Sequence, residues 1–324
     1  MTVSRVVSYS ITMEFIEGTQ VFSSSSETSV TIGNFDGVHL GHRELVRRTV
    51  AHARKLGLPS VVLIFSPHPI RFFHPELLFC EVNTVREKAA RMEELGIDIF
   101  VVESFDGETG DMSPEEFAQT VLRRRLRARM VTVGYNFTFG DQKAGSPEIL
   151  AKLGLELGFD VDIMPPLMHG GAVVSSSRIR ELLLAGKVRE AEELLCRPFE
   201  VCGPVGQGAG RGRRLGFPTA NVMFSRELSL LPGVYVVDVM VDGASFRGVA
   251  NVGSGPTFGG SLIGIEAHLF DFRGDLYGKD ASVRFRERIR DEWKFQSADE
   301  LVVQIQNDVE CARRTNLPIW EGPS

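Results

Sequence analysis

Two histidines three residues apart are the first side chains that suggest chemistry. His39 and His42 belong to the stretch Gly33–His42, which reads GNFDGVHLGH. A short apolar strand, 30–32, precedes it and a helical pattern begins at about Gly41, so both rings are expected on one face of the first helical turn. A helix N-terminus carries unpaired N–H groups and positive dipole charge, which attract phosphate. The pattern favours triphosphate binding and nucleotidyl transfer, with a chance string or a metal-binding histidine pair as the alternative.

A second glycine-rich stretch lies in the C-terminal half of the chain. Residues 206–216 read GQGAGRGRRLG, and Phe217-Pro-Thr-Ala-Asn221 follows directly. Glycines allow backbone amides to wrap around phosphates. The hydroxyl of Thr219 is the kind of oxygen that ligates Mg²⁺ in phosphoryl-transfer sites. A flexible surface loop rich in Arg and Gly is the alternative interpretation.

The first half of the chain alternates short apolar strands with longer helices. The predicted strands are 30–32, 61–65, 97–102, 130–133 and 161–164, and the predicted helices are 41–55, 85–95, 113–129 and 147–157. Such alternation predicts βαβ units and a parallel sheet. Ligands of these sheets bind beyond the carboxyl ends of the strands, so the strand-to-helix loops are expected to hold the chemistry. The segment 1–28 is weakly patterned.

The second half changes rhythm, because strands follow one another without intervening helices. The predicted strands are 200–205, 233–241, 245–252, 264–272 and 281–285, with a hairpin turn at Asp242-Gly243 and a closing helix at 297–314. This order predicts a small antiparallel β-barrel with a C-terminal helix. Two short helices ending at Leu195 precede the change. We therefore expect one domain at 1–196 and a second at 197–324.

Composition narrows the class of protein. The chain has 324 residues, of which 43% are hydrophobic and 24% are charged, and its net charge is -6. These values are typical of a soluble globular protein and argue against generic nucleic-acid binding. The arginine-rich run 123–129 is interpreted as a solvated helix end. The cysteines form no CxxC pair and no apolar run is long enough to span a bilayer, so we expect free thiols and a cytoplasmic protein. Oligomeric state is not indicated.

Several motifs resemble, in order, those of the bacterial bifunctional riboflavin kinase/FAD synthetase family. In the first half, GNFDGVHLGH is followed by FSPHP at 65–69, GYNFTFG at 134–140 and VSSSRIR at 174–180. In the second half, the similar motifs are GFPTAN at 216–221, LPGVY at 231–235, GVANVG at 248–253, IEAHLFDF at 265–272 and RDEWKF at 290–295. The resemblance spans roughly residues 29 to 315.

For the N-terminal half, the resemblance implies a Rossmann-like nucleotidylyltransferase domain that joins FMN to ATP, giving FAD and pyrophosphate. His39 and His42 would be catalytic, stabilising the ATP phosphates. The other ATP-binding or phosphate-binding residues implied are Gly33, Phe35, Asp36, Gly41, Asn136, Ser176, Ser177 and Arg180. Asn136 and Ser177 stand where many relatives carry Asp and Thr, and both replacements keep polar contacts. Helix capping is a second role open to the serines.

For the C-terminal half, the resemblance implies a barrel that phosphorylates riboflavin with ATP. Glu266 would be the general base for a ribityl hydroxyl, unless it is an ordinary solvent-facing residue on an edge strand. Gly255 stands where relatives usually carry Asn or Arg, so a looser loop is expected beside the kinase site. The remaining residues implied are Gly212, Gly216, Pro218 and Asn221 for ATP or phosphate, with Thr219 and Asn221 for Mg²⁺.

These features predict a two-step FAD-producing enzyme. Riboflavin, FMN and ATP would be its substrates and Mg²⁺ its cofactor, without nucleic acid or membrane as partner. One alternative is a relic of a class I aminoacyl-tRNA synthetase, which the missing KMSKS string opposes. Another is a flavin-binding carrier that has lost turnover. The joint presence of the candidate catalytic and metal-binding residues opposes that alternative: His39, His42, Thr219, Asn221 and Glu266.

Overall fold

A computed structural model describes residues 13–22, 26–77, 79–208, 210–224, 227–254 and 263–320. The chain divides between Ser176 and Ser177 into two compact units. The first unit contains a parallel sheet and the second contains a β-barrel. Within the described residues, no helix has both the length and the apolar character needed to cross a membrane.

The first unit is built on a six-stranded sheet with the order β1-β4-β3-β2-β5-β6. Every neighbouring pair of its strands is parallel. The strands are β1 Glu14–Glu17, β2 Thr28–Ile32, β3 Ser60–Ser66, β4 Ile99–Ser104, β5 Ala128–Gly134 and β6 Asp160–Met164. The helices are α1 Leu40–Leu56, α2 Pro69–Phe73, α3 Val85–Glu94, α4 Gly107–Gly110, α5 Pro114–Phe117 and α6 Pro147–Leu157. A small hairpin follows, with β7 Met168–His169 and β8 Ala172–Val173.

Both faces of the sheet are buried, which explains why its central strands are apolar runs. In β3, Val61 and Leu63 pack into one hydrophobic cluster with residues of α5 and α6. Val62 and Ile64 point to the opposite face and pack with residues of α1 and α3. A parallel sheet covered by helices on both sides has this pattern, because successive side chains point to opposite faces. The predicted parallel α/β fold is confirmed.

Strand β1 was not expected from the sequence. It has only four residues, EFIE, and lies at the edge of the sheet against β4. Its glutamates are exposed, so it lacks the apolar run that marks a central strand. Its pairing depends on the neighbouring strand rather than on its own pattern.

The predicted helix at 113–129 is wrong at its C-terminal end. Ser113 begins it with the expected capping box, accepting from the Glu116 N–H at 3.1 Å. After α5 the chain continues as a π-helical segment, Ala118–Arg125, and the Leu126 N–H reaches the Val121 carbonyl at 2.9 Å. Strand β5 begins at Ala128, which pairs with Thr28. Pairing of β5 with β2 therefore ends the helix inside the arginine-rich run 123–129.

The second unit contains a closed barrel with the order β10-β13-β12-β11-β14-β9. All of its strand pairs are antiparallel. The strands are β9 Phe199–Gly206, β10 Ala220–Val222, β11 Gly233–Val241, β12 Ala244–Ser254, β13 Ile263–Leu269 and β14 Asp280–Arg290. The helices are α7 Ser176–Leu184, α8 Val188–Leu195, α9 Arg211–Arg214 and α10 Ala298–Arg314. The predicted barrel and C-terminal helix are confirmed.

Side-chain alternation along β11 separates the barrel interior from its outer face. Tyr235 packs edge-on against Phe285 of β14, with ring centroids 5.3 Å apart. Val236 points outward and packs with Phe270 and with Ala312 of α10. The hairpin between β11 and β12 turns at Asp242 (φ 50°) and Gly243 (φ 78°), the two positive φ values of the predicted turn.

The two short helices before the barrel belong to the second compact unit. The Leu231 N–H donates to the Leu183 carbonyl of α7 at 3.0 Å, and α8 packs against β9 and β14. Arg286 of β14 also pairs with Glu192 of α8 at 3.5 Å. Both helices thus fall in the compact unit that begins at Ser177, and the domain boundary predicted at 196/197 stays a prediction. The order of predicted strands and helices could not show where α7 and α8 pack, because it contains no information on contacts between distant segments.

Candidate active sites

The loop between β2 and α1 has a strained backbone at non-glycine residues. Phe35 and Val38 adopt φ values of 48° and 44°, with Gly37 at 86° between them. Both side chains are fully buried, and the Val38 N–H donates to the Phe35 carbonyl at 3.1 Å. Positive φ is costly for a β-branched or bulky residue. Burial of the two side chains offsets that cost and gives the loop one defined shape.

His39 is the N-cap residue of α1. Its Nδ1 accepts a hydrogen bond from the backbone N–H of His42 at 3.3 Å. Because Nδ1 accepts, the proton of a neutral His39 ring lies on Nε2, which is then the donating nitrogen. Gly41 leaves room for this arrangement, since a Cβ there would lie 3.2 Å from Cε1 of His39.

The two histidine rings lie on the same side of the helix start, as expected, and they stack on one another. Their centroids are 3.6 Å apart with an angle of 15° between the planes. The His42 side chain is partly exposed, yet its Nδ1 is buried and has no hydrogen-bond partner among the described residues. Burial lowers the pKa of His42 well below its ordinary value, and electrostatic interactions with His39 and Lys88 lower it further. His42 is therefore neutral at pH 7 in the structure without substrate.

Asp36 supports the loop through its carboxylate. The side chain is 1% exposed, and Oδ1 accepts from the backbone N–H groups of Val82 at 2.8 Å and Asn83 at 3.1 Å. Its backbone carbonyl accepts from Oγ of Ser176 at 2.8 Å. Asp36 thus ties the loop to the segment before α3 and to the end of the first unit. Gly33 contributes space, because a Cβ there would lie 3.3 Å from the Phe35 ring.

A buried lysine lies near the histidines and was not found by sequence reasoning. Lys88 of α3 is 2% exposed, and its Nζ lies 2.9 Å from Oε2 of Glu81. Its electrostatic interaction with His42 contributes to the lowered pKa of that ring. A lysine in an amphipathic helix is expected at the surface, so the local sequence does not distinguish Lys88 from an exposed residue.

The remaining residues predicted for the first site occupy two places. Asn136 is exposed just beyond the carboxyl end of β5, the strand adjacent to β2. Ser177 and Arg180 lie in α7 of the second unit, where Nη2 of Arg180 donates to Oγ of Ser177 at 3.3 Å. The structure thus groups the residues of the Gly33–His42 loop with Ser176, while the roles of Asn136, Ser177 and Arg180 in ATP binding remain predictions.

A second polar site lies on the outer face of the barrel. Glu266 of β13 is directly opposite Asn221 of β10 on one side and Asn251 of β12 on the other. Directly opposed residues of antiparallel strands point to the same face, with Cβ atoms about 4.5–5.5 Å apart. The neighbours Ile265 and Ala267 point inward and are fully buried. Glu266 is therefore the centre of an asparagine–glutamate–asparagine row, and not a residue of an exposed sheet edge.

Asn221 has an unusual environment for an amide. The residue is 5% exposed, and its Oδ1 is buried without a hydrogen-bond donor among the described residues. Gly208 faces it closely, since a Cβ there would lie 2.2 Å from Nδ2. A buried polar atom without a partner is costly, so this oxygen is suited to a cation or a donor that arrives with substrate.

The glycine-rich loop folds back on itself before β10. The Phe217 N–H donates to the Gly212 carbonyl at 2.8 Å, and a Cβ at Gly212 would lie 2.3 Å from the Phe217 carbonyl oxygen. Gly216 has a φ of 87°. The Pro218 carbonyl is hydrogen-bonded to Nδ1 of His268 at 2.9 Å. Local turns and one long-range bond thus fix the segment that carries Thr219 and Asn221.

A cleft of about 90 Å³ adjoins this segment. Pro218, Thr219 and Asn221 form part of one wall, while Asp275 and Tyr277 line it from the connection between β13 and β14. The latter residues were not predicted, because they are adjacent only in the folded barrel. Gly255 lies outside the described residues. Among those described, no three His, Cys, Asp or Glu side chains are grouped as a metal site.

Comparison with known proteins assigns a family to each part of the chain. Residues 21–178 match the FAD synthetase family model, and residues 195–316 match the riboflavin kinase model. A bifunctional riboflavin kinase/FMN adenylyltransferase of Escherichia coli K12 is 38% identical over 304 residues, which covers 93% of this chain and 97% of the relative. The protein of the same name from Pseudomonas fluorescens is 39% identical over 289 residues, covering 89% and 93%.

A solved structure resembles nearly the whole chain in fold and sequence. The crystal structure of a protein named as a macrolide-efflux protein from Streptococcus pneumoniae has a TM-score of 0.85 and 34% identity, covering 94% of this chain and 99% of that one. Sequence identity, coverage and the matched models for both halves agree. This chain therefore belongs to the bifunctional riboflavin kinase/FMN adenylyltransferase family.

Proposed function

We propose that this chain makes FAD from riboflavin in two ATP-dependent steps. Riboflavin is first phosphorylated to FMN, and FMN is then adenylylated to FAD with release of pyrophosphate. The observation that carries the proposal is a distinct polar site within each matched span, one on the parallel sheet and one on the barrel. The predicted assignment of adenylyl transfer to residues 1–196 and of kinase activity to residues 197–324 is part of this proposal.

In adenylyl transfer, an FMN phosphate oxygen attacks the α-phosphorus of ATP. The new P–O bond forms while the bond from the α-phosphorus to the oxygen bridging to the β-phosphorus breaks, and pyrophosphate leaves. The attacking phosphate is already ionised, so positioning and charge stabilisation suffice without a strong base.

His39 and His42 supply that stabilisation from the start of α1. Nε2 of His39 is the donating nitrogen, because Nδ1 caps the helix. His42 is neutral before ATP binds, and a nearby triphosphate favours its protonated form because opposite charges attract. Gly33, Phe35, Asp36 and Gly41 act by holding the loop in shape. On the family resemblance, Asn136, Ser176, Ser177 and Arg180 are further ATP ligands.

In the kinase step, Glu266 accepts the proton of a ribityl hydroxyl. The oxygen of that hydroxyl bonds to the γ-phosphorus of ATP. The bond between the γ-phosphorus and the oxygen bridging to the β-phosphorus breaks, and ADP leaves. Gly212, Gly216 and Pro218 shape the phosphate loop. Mg²⁺ would be held by Oδ1 of Asn221 and the hydroxyl of Thr219, where it would neutralise phosphate charge. Oδ1 of Asn221, which is buried and has no donor among the described residues, fits a hard cation that prefers oxygen.

The proposal includes the setting in which the enzyme works. Riboflavin, FMN and ATP are its substrates, and it uses neither nucleic acid nor a membrane as partner. The cytoplasm is the proposed location. A net charge of -6 and four cysteines without a CxxC pair support this setting.

Product analysis tests the proposal. Purified protein with riboflavin and MgATP should form FMN and then FAD, resolved by chromatography. Glu266→Ala should abolish FMN formation and leave conversion of supplied FMN to FAD. His42→Ala should do the reverse. Formation of neither flavin product by the unaltered protein would refute the proposal, and loss of both activities in either variant would refute the assignment of the sites.

A further inference from the structure

Glu292, which follows β14, lies against the row that contains Glu266. Its Oε1 accepts a hydrogen bond from Nδ2 of Asn251 at 3.2 Å. Its carboxylate also occupies the space beside Gly253, where a Cβ would lie 1.8 Å from Oε1. Glu292 therefore contacts β12 at two residues, the side-chain amide of Asn251 and the backbone at Gly253.

An ion pair to α10 anchors the end of β14, two residues before Glu292. Nη2 of Arg290 lies 2.7 Å from Oδ2 of Asp308 in α10, and Nε of Arg290 lies 3.0 Å from Oδ1. Asp308 is 3% exposed. Nη1 of the same arginine donates to the Asp291 carbonyl at 2.8 Å. A bidentate arginine with a buried partner is a rigid support. It holds the backbone at Asp291 in place, and Glu292 follows directly.

Asn251 connects this support to Glu266. The two residues are direct cross-strand partners on the same face of the barrel. An amide nitrogen has two N–H groups, and Glu292 accepts from one of them. That bond fixes which end of the amide carries the nitrogen and leaves its second N–H for another acceptor on the same face, where Glu266 is the direct cross-strand neighbour.

We propose that Glu292 is a positioning residue for riboflavin phosphorylation and acts through Asn251 to orient the Glu266 carboxylate. This inference rests on the proposed kinase function and adds two residues to it. Glu292 and Asn251 would set the direction from which Glu266 takes the hydroxyl proton. Such orientation affects the rate of the chemical step more than the binding of either substrate.

Steady-state kinase assays on the full-length protein test the proposal. We expect Glu292→Ala to lower kcat about tenfold, with KM for riboflavin and for ATP within about twofold of the unaltered protein. Glu292→Gln should recover most of the rate, because its amide oxygen still accepts from Asn251. Asn251→Ala should match Glu292→Ala, and the double variant should be no slower than either single variant.

Two controls separate positioning from general damage. Asp291→Asn alters the adjacent carboxylate, which pairs with Arg288, and should leave kcat unchanged. Conversion of supplied FMN to FAD should be equal in all variants and in the unaltered protein, as should the melting temperature.

Several results would overturn the positioning role. They are an unchanged kcat in Glu292→Ala, a Gln variant as slow as the Ala variant, multiplicative losses in the double variant, or a rise in riboflavin KM at constant kcat. The last result would mean direct contact with riboflavin. Absence of kinase activity in the unaltered protein would instead refute the proposed function.

Discussion

Replacement of Asp36 tests whether the phosphate-site loop depends on a single buried carboxylate. The side chain lies behind the loop, and its Oδ1 accepts from the N–H groups of Val82 and Asn83 at 2.8 and 3.1 Å. Asp36→Ala removes both bonds and leaves two backbone donors without their acceptor. Asp36→Asn keeps an oxygen in the same place but removes its charge.

The size of the effect follows from those two bonds. Hydrogen bonds to a charged group contribute about 1.5–3 kcal/mol each, so Asp36→Ala should cost about 3–6 kcal/mol of the first unit's stability. Neutral bonds contribute about 1 kcal/mol each, so Asp36→Asn should cost about 1–4 kcal/mol. Val82 is fully buried and Asn83 is 6% exposed, so water does not readily replace the lost acceptor.

Urea unfolding followed by circular dichroism measures the loss of stability. FAD synthesis from supplied FMN shows whether the loop still binds ATP normally. We expect the KM for ATP in FAD synthesis to rise in the order unaltered protein, Asn variant, Ala variant. Kinase activity in the same samples is the control, because the residues proposed for it lie in the second unit. The reasoning is refuted if Asp36→Ala keeps both the unfolding free energy and the ATP KM of the unaltered protein.

Three further predictions concern the C-terminal segment, the buried ion pair and His42. A stop after Asn316 removes residues 317–324, and with them three backbone carbonyls, those of Leu317, Pro318 and Trp320, that accept from arginines at 2.7–3.0 Å. Urea unfolding should show a loss of about 4.5–9 kcal/mol, whereas a stop after Trp320 keeps these three bonds and should show a smaller loss. Asp308→Ala leaves the partly buried Arg290 without its carboxylate partner, and should cost about 3–5 kcal/mol in the same measurement; a loss under about 1 kcal/mol would contradict the rigid support. The pKa of His42 is lower in the folded protein than in the unfolded chain. As pH falls below about 6.5, His42 therefore takes up a proton in the unfolded chain before it does so in the folded protein. Unfolding free energy should therefore decline by up to about 1.4 kcal/mol per pH unit from pH 6.5 down to the lowered pKa, and His42→Gln should decline less steeply; equal slopes would contradict the assignment.

Local pattern determined the fold class and the neighbourhood of both sites. The apolar run in β3 and the helical spacing of α1 depend on neighbours within a few residues, so the βαβ order was readable directly. The same holds for the turn at Asp242-Gly243 and for the loop from Gly33 to His42, whose residue types alone indicate phosphate chemistry.

Tertiary structure decided which partners those residues have. The carboxylate of Asp36 accepts from amides more than forty positions away, which no local pattern encodes, and its part in phosphate binding stays a prediction. The neutral state of His42 results from burial, which depends on the whole packed unit. Likewise β10 has three residues and exists only because its neighbours hold it in register, and that register places Asn221 beside Glu266. Sequence spacing specifies elements, whereas partners across strands and between distant segments are specified only when the chain packs.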